Sequence, residues 1–415
     1  MSFAITNRTK QGWLTIALLN FLIAAILGVL LRFAFVEELS WMDYRNFLHA
    51  HSHVAMLGWI YMALFAMILH VFIPSENIQK RAYKRLFGLT QVSVIGMALS
   101  FPLQGYGAVS ISFSTLHILC SYWFMVRIWR DLPKDFSYSR KLLRTAFLFM
   151  LLSTLGVWLM GPIMAGHLRG SSLYYMSVQF YLHFQFNGWF LFAILALFFR
   201  KLEVQSILVP VKTFQRFYWF LIASCFLTYA LAVAWSKPSL PVFMLNTIGV
   251  ILQFIALSFF ISLIWKQRQK ILSSFALLER RLLILAFLSF AAKITVQASL
   301  VVPVITEAAY TIRNYVIGFI HLILLGAVTS FLISIALNQG LLNSNKRLSV
   351  LGIVLLVLGF LSSEFLLFVQ GTMLWATLGF MPYYYELLFA GSLLLPIGIF
   401  CFLLGQMPKP KSVSS

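Results

Sequence analysis

Apolar runs of about 20 residues recur along nearly the whole of this 415-residue chain, and they dictate what it can fold into. At 1.5 Å per residue, such a run is long enough, as a helix, to cross roughly 30 Å of hydrocarbon. With 61% of residues hydrophobic and 10% charged, the chain is not that of a soluble protein. The runs place about twelve spans, near 13–35, 47–73, 86–107, 108–129, 142–164, 173–199, 214–234, 241–265, 282–303, 314–337, 348–370 and 383–405. The expected fold is all-α and integral to the membrane. It forms one polytopic domain over 1–405, with a short tail over 406–415 that contains Pro408 and Pro410. No internal repeat and no low-complexity region is evident in the sequence.

A formal net charge of +20 would suggest a nucleic-acid partner in a soluble chain. Here the charge lies in alternate loops, so bilayer lipid is the expected partner and nucleic acid is not. Lys80, Arg81, Lys84 and Arg85 follow the second span, and six basic residues from Arg127 to Arg144 follow the fourth. Basic clusters also follow the sixth, eighth and tenth spans. The intervening loops hold Glu37, Glu38, Asp43 and Glu307. The positive-inside rule then places both termini in the cytoplasm, as an even number of spans requires, with a bacterial cytoplasmic membrane as the expected location. Cys120, Cys225 and Cys401 fall inside apolar runs without a CxxC, which argues against a disulfide framework. The first run lacks a small-residue cleavage site and reads as a retained helix.

Ionisable residues inside a bilayer segment are costly and usually functional. Three of the eight histidines, His49, His51 and His53, stand in the first turns of span 2. His117 lies about nine residues into span 4, His183 about ten into span 6 and His321 about seven into span 10. With all even-numbered spans running inward, the histidines of spans 4, 6 and 10 and His53 lie roughly 5–15 Å below the outer surface. A lone membrane histidine is often only a hydrogen-bonding link between helices. Agreement in depth across four helices argues instead for a shared metal or haem iron, for which imidazole is the commonest ligand. Within the cluster, His49 and His53 share a helix face while His51 points nearly the opposite way. His53 is the favoured ligand, then His49, then His51. His70 and His167 do not fit the layer and read as interfacial. Trp41, Trp235, Tyr383, Tyr384 and Tyr385 sit at span ends and read as an interfacial belt.

Twelve spans, both termini inside, and histidines early in spans 2 and 10 resemble the haem–copper oxidase subunit I superfamily. The segment Tyr315–Val328 is similar to that family's tenth span, with Phe319 at the position of one haem ligand and His321 at the other. HSHVAMLGW at 51–59 resembles the HxH helix of the NnrS-like proteins, a divergent, nitric-oxide-related branch bearing haem and copper. The segment around His321, with Gly326 and Ala327 five residues on, resembles that branch's later motif. Two departures stand out. Span 7 has no histidine, and Asn187 occupies the fourth position after His183, where the superfamily carries a tyrosine. Four-electron oxygen reduction at a complete copper site is therefore not expected.

The resemblance implies a low-spin b-type haem held by His321 and a span 2 histidine, with Arg45 and Arg313 as propionate partners. His117 and His183, with His51 as a further donor and Cys120 one turn after His117, are the candidates for a second metal, copper or another haem. The implied activity is electron transfer or nitric oxide handling, with a respiratory electron donor or an oxidase subunit as partner. Two other classes compete. A transporter or channel would use Lys293, Glu364, Gln104, Gln253 and Gln297 as a polar path. A non-catalytic oxidase partner or assembly factor would form a stable complex.

Overall fold

The computed structural model describes residues 7–78, 81–133, 137–234 and 236–407. Lys80, Lys134, Trp235 and the tail from Pro408 lie outside the described residues. Among those described, twelve helices are long and apolar enough to cross a bilayer. They are span 1 (Gln11–Phe33), span 2 (Tyr44–Phe72), span 3 (Arg81–Gln104), span 4 (Ala108–Asp131), span 5 (Tyr138–Ala165) and span 6 (Ser172–Val204). There follow span 7 (Val211–Ala234), span 8 (Leu240–Trp265), span 9 (Leu277–Ser299), span 10 (Arg313–Asn338), span 11 (Arg347–Trp375) and span 12 (Tyr384–Gln406). The protein is thus an all-α, multi-pass membrane protein. The observed spans agree with the apolar runs to within a few residues at each end.

Local chemistry sets several of the boundaries. Asp43 caps span 2 by accepting from the Asn46 amide at 2.9 Å, and Ser137 caps span 5 through the Arg140 amide at 3.2 Å. The Glu279 carboxylate reaches back to the Ala276 amide at 2.9 Å and starts span 9. Gln104 lies at the end of span 3. With its amide turned so that the oxygen accepts, it bonds the first amides of span 4, Val109 at 3.1 Å and Ser110 at 3.0 Å. Gln104, expected to line a polar path in the transporter reading, is therefore a helix cap.

The expected single bundle is organised as two compact units. The first comprises Met1–Phe124, Ile333–Gln370 and Gly379–Ser415, and the second comprises Met125–Leu332 and Gly371–Leu378. In the first, span 1 packs against both span 2 and span 12, so the end of the chain closes onto its beginning. In the second, span 5 packs on span 6, span 7 on span 8, and span 9 on span 10.

Burial is uneven among the spans. The most apolar 18-residue windows of spans 2 and 6 are 83% and 89% buried, and that of span 10 is 56%, while no other span exceeds 50%. These three spans carry His53, His183 and His321. Span 7 is not one continuous helix: it breaks at Thr228, between Val211–Leu227 and Tyr229–Ala234.

Candidate functional site: histidines at π-helical junctions

Each of the three deeply buried spans changes from α- to π-helix immediately after its histidine. The α-helix ends at His53, His183 and His321, and π-helix runs over Val54–Tyr61, Phe184–Phe190 and Leu322–Thr329. A π-turn holds one residue more than an α-turn, so it re-aims the helix beyond it and leaves carbonyls incompletely paired; such turns collect at functional sites. Side chains take up those carbonyls here. Asn20 Nδ2 donates to the Gly58 carbonyl at 2.9 Å, Asn187 Nδ2 to the His183 carbonyl at 3.3 Å, and Ser330 Oγ to the Leu325 carbonyl at 3.2 Å. A glycine stands five residues after each histidine, at Gly58, Gly188 and Gly326. A β-carbon on Gly58 would lie 2.8 Å from Val94 Cγ1, and one on Gly188 would lie 2.6 Å from Phe149 Cβ. Bare backbone lets the widened turns pack closely on spans 3 and 5. A recurring element thus exists where no repeat was expected: H-x4-G with a π-turn, on every fourth span.

The histidines of span 2 divide as their helical positions require. His49 and His53 share a wall made by Phe101 and Tyr106. The His53 ring is centred 4.3 Å from Phe101, and the His49 ring 4.6 Å from Tyr106. His53 Nδ1 donates to the His49 carbonyl at 2.9 Å. That bond selects the tautomer whose Nε2 carries the lone pair, and it holds the ring still, as carbonyl partners do for metal-bound imidazoles. His51 turns the other way. Its Nδ1 donates to the Ala24 carbonyl of span 1 at 2.8 Å, and its ring lies in the notch left by Gly28. His51 thereby links spans 1 and 2, and its lone pair, like that of His53, is on Nε2.

His321 ends the α-helical part of span 10, which begins at Arg313. None of the residues from Arg313 to His321 is buried, whereas most of those from Ile323 onward are. Span 2 shows the same step, with Ala50 the one buried residue before Val54. The N-terminal stretches of these two spans therefore keep side-chain surface uncovered beside their histidines. Arg45 and Arg313 are exposed in the first turns of the same stretches. The His53 imidazole, oriented by a carbonyl and with Arg45 at the polar end of the same helix, is a donor that suits a haem iron.

His183 has a different commitment. Its Nε2 donates to the Cys225 carbonyl at 2.7 Å, and its Nδ1 faces Asn187 Nδ2 at 3.4 Å. The break of span 7 at Thr228 removes the helical partner of that carbonyl, and His183 replaces it. His117 is buried against the π-turn of span 2, with Tyr61 edge-on at 4.6 Å, the Leu57 carbonyl facing it and its Nδ1 3.4 Å from Ser121 Oγ. Cys120 turns toward Thr90. Among the described residues no three His, Cys, Asp or Glu side chains are placed to hold a metal ion together. Of the residues expected at a second centre, His51 and His183 thus bond carbonyls of neighbouring spans through one ring nitrogen each, while His117 Nε2 is buried without a hydrogen-bond partner among the described residues.

The chain matches no protein family model and no curated protein. The assignment of residues therefore rests on the geometry. That geometry adds partners the sequence does not flag. Glu364 of span 11 interacts with Arg32 of span 1, and Arg32 also acts on His51. Asn20 and Gln91 exchange two amide hydrogen bonds at 2.9 and 3.0 Å beside the first π-turn. No spacing rule reveals either pair, because each joins spans far apart in the sequence.

Proposed function

We propose that the chain is a b-type haem protein of the bacterial cytoplasmic membrane, with both termini in the cytoplasm, in which His53 and His321 would be the residues that hold the haem. The observation that carries this reading is the His53 junction. There a carbonyl-anchored imidazole stands at the start of a π-turn with Nε2 as its lone-pair nitrogen. His321 occupies the equivalent position in span 10. A haem held by imidazole would supply one-electron transfer, with a potential that depends on burial and ligand identity. The His49 carbonyl orients His53, and Phe101 and Tyr106 exclude water from one side of it. Arg45 and Arg313 are the proposed partners of the two propionates, because guanidinium pairs well with carboxylate. A respiratory electron donor or an oxidase subunit is the proposed partner. Nitric oxide handling is the proposed setting on the resemblance of 51–59 and the His321 segment alone.

The test is a reduced-minus-oxidised optical spectrum of protein purified from haem-replete cells, for wild type, His53→Ala, His321→Ala and His51→Ala. The expected wild-type spectrum is low-spin b-type. It is lost in the first two variants and kept in the third. A wild-type protein without a Soret band, or one that keeps its low-spin spectrum in His53→Ala, sinks the proposal.

A further inference from the structure

The first turns of span 5 carry Lys141 and Arg144, three residues apart and so on one face of the helix. Each is held against a ring of a neighbouring span. Lys141 Nζ stands 4.0 Å from the centre of the Tyr218 ring and 5.2 Å from that of Trp219, both on span 7. The Arg144 guanidinium lies 5.7 Å over the Trp129 ring of span 4. Spans 5 and 7 are joined at this height by a 2.7 Å bond between the Thr145 and Tyr218 hydroxyls. All of these residues belong to the second unit. The same face continues along span 5 as Leu148, Leu151 and Leu155, which are 54%, 38% and 49% exposed. From Lys141 to Leu155 the steps alternate between three and four residues, which is one helical stripe. Trp129 and Trp219, both exposed, flank its charged end.

The protein does not match these two cations itself. From Arg127 to Arg144 the sequence has six basic residues against Asp131 and Asp135. Asp131 pairs with Arg127, and Glu203 is held by Ser139 and Arg200. Asp135 lies outside the described residues. No described carboxylate forms an ion pair with Lys141 or Arg144, and Arg144 Nε is buried without a hydrogen-bond partner among the described residues. The 28 residues of span 5 are about 42 Å long against roughly 30 Å of hydrocarbon, so its first turns stand at headgroup level. Phosphate oxygens at that level pair well with both guanidinium and ammonium, and acyl chains below them cover the leucines. An acidic protein docking from water would meet the cations and leave the leucine stripe bare. Snorkelling alone would also lift Lys and Arg to this level, but it turns their charged ends into water. Here rings of neighbouring spans hold both against the side of the bundle.

We infer that this face of span 5 is a binding site for one anionic phospholipid, with its phosphodiester between Lys141 and Arg144 and an acyl chain along Leu148, Leu151 and Leu155. Two cations without a carboxylate between them favour a lipid of net negative charge over a zwitterionic one, whose own ammonium or choline would be repelled. The site stands independently of the haem reading.

The experiment is native mass spectrometry of the delipidated full chain in detergent, titrated with phosphatidylglycerol or with phosphatidylcholine of the same acyl chains. It compares wild type, the double variant Lys141→Gln/Arg144→Gln, and a control, Lys84→Gln/Arg85→Gln, which removes the same charge from span 3. The expected result is a first phosphatidylglycerol bound about tenfold more tightly than phosphatidylcholine by the wild type and the control. The Lys141/Arg144 variant should lose most of that preference. A wild type that binds both lipids equally overturns the inference, as does an equal loss in the two variants, which would mean diffuse attraction to the basic end of the bundle. Should the Lys141/Arg144 variant fail to fold, phosphatidylglycerol with a photoreactive acyl chain is crosslinked to the wild type. Labelled peptides from span 5 support the site, and labelling confined to other spans overturns it.

Discussion

The junctions at His53 and His183 share a plan and differ in one atom. Both histidines end an α-helical stretch, both precede a π-turn, and both have a glycine five residues on. At His53 the anchored nitrogen is Nδ1, and its acceptor is a carbonyl one turn back in the same helix. The outward nitrogen, Nε2, is left to meet a ligand. At His183 the anchored nitrogen is Nε2, and its acceptor is the Cys225 carbonyl of another span. The long reach of the ring is spent on repairing the break in span 7. One framework therefore presents an imidazole in span 2 and consumes one in span 6. The role of a membrane histidine is set by the carbonyl it finds, and its depth alone does not decide it.

This comparison is broken most directly at Cys225. His183→Ala leaves that carbonyl buried without its donor, which costs about 1–3 kcal/mol on top of the packing lost with the ring. The expected outcome is a clear fall in thermal stability with haem content retained. His183→Gln, which keeps a donor, should recover part of the loss. A His183→Ala variant as stable as wild type would mean that the bond to Cys225 is dispensable, and the contrast with His53 would fall.

The shared plan is tested at its glycines. A β-carbon at Gly188 meets Phe149 Cβ at 2.6 Å, so Gly188→Ala must separate spans 5 and 6 or distort the π-turn. Overpacking of this kind costs about 1–3 kcal/mol. Gly58→Ala meets Val94 Cγ1 at 2.8 Å and the Asn20 side chain at 3.0 Å, and it should cost a similar amount or somewhat less. Chemical or thermal unfolding of both variants measures this. Glycines with no packing role would leave both variants at wild-type stability.

Much of this arrangement is legible in the sequence, and the reason differs by level. The twelve spans can be read because hydrocarbon thickness demands long apolar runs, and no polar segment is long enough to mask one. The split between His49 and His53 on one face and His51 on the other comes from 100° per residue. The π-turns cannot be read in the same way. One extra residue per turn leaves no mark in a run such as VAMLGWIY, where nearly every residue is apolar and buried. The commitment of His183 is hidden for a related reason. The break at Thr228 lies inside a continuous apolar stretch, without proline or glycine to announce it. The Arg32 partner of Glu364 is hidden because a contact between the first and eleventh spans has no local signature.

The smallest expected effect sharpens the difference between His51 and His53. A β-carbon at Gly28 would stand 2.9 Å from His51 Cε1, at the free edge of a side chain, so the ring can give way. Gly28→Ala should strain or lengthen the 2.8 Å bond to the Ala24 carbonyl. A weakened hydrogen bond of this kind is worth about 0.5–1.5 kcal/mol, partly offset by the lower chain entropy of alanine in the unfolded state. Stability should therefore fall slightly, and the haem spectrum should not move, because His51 faces span 1 while His53 faces Phe101. A shifted or lost low-spin band in Gly28→Ala would move the axial role from His53 to His51. The same helix would then present its ligand from the opposite face.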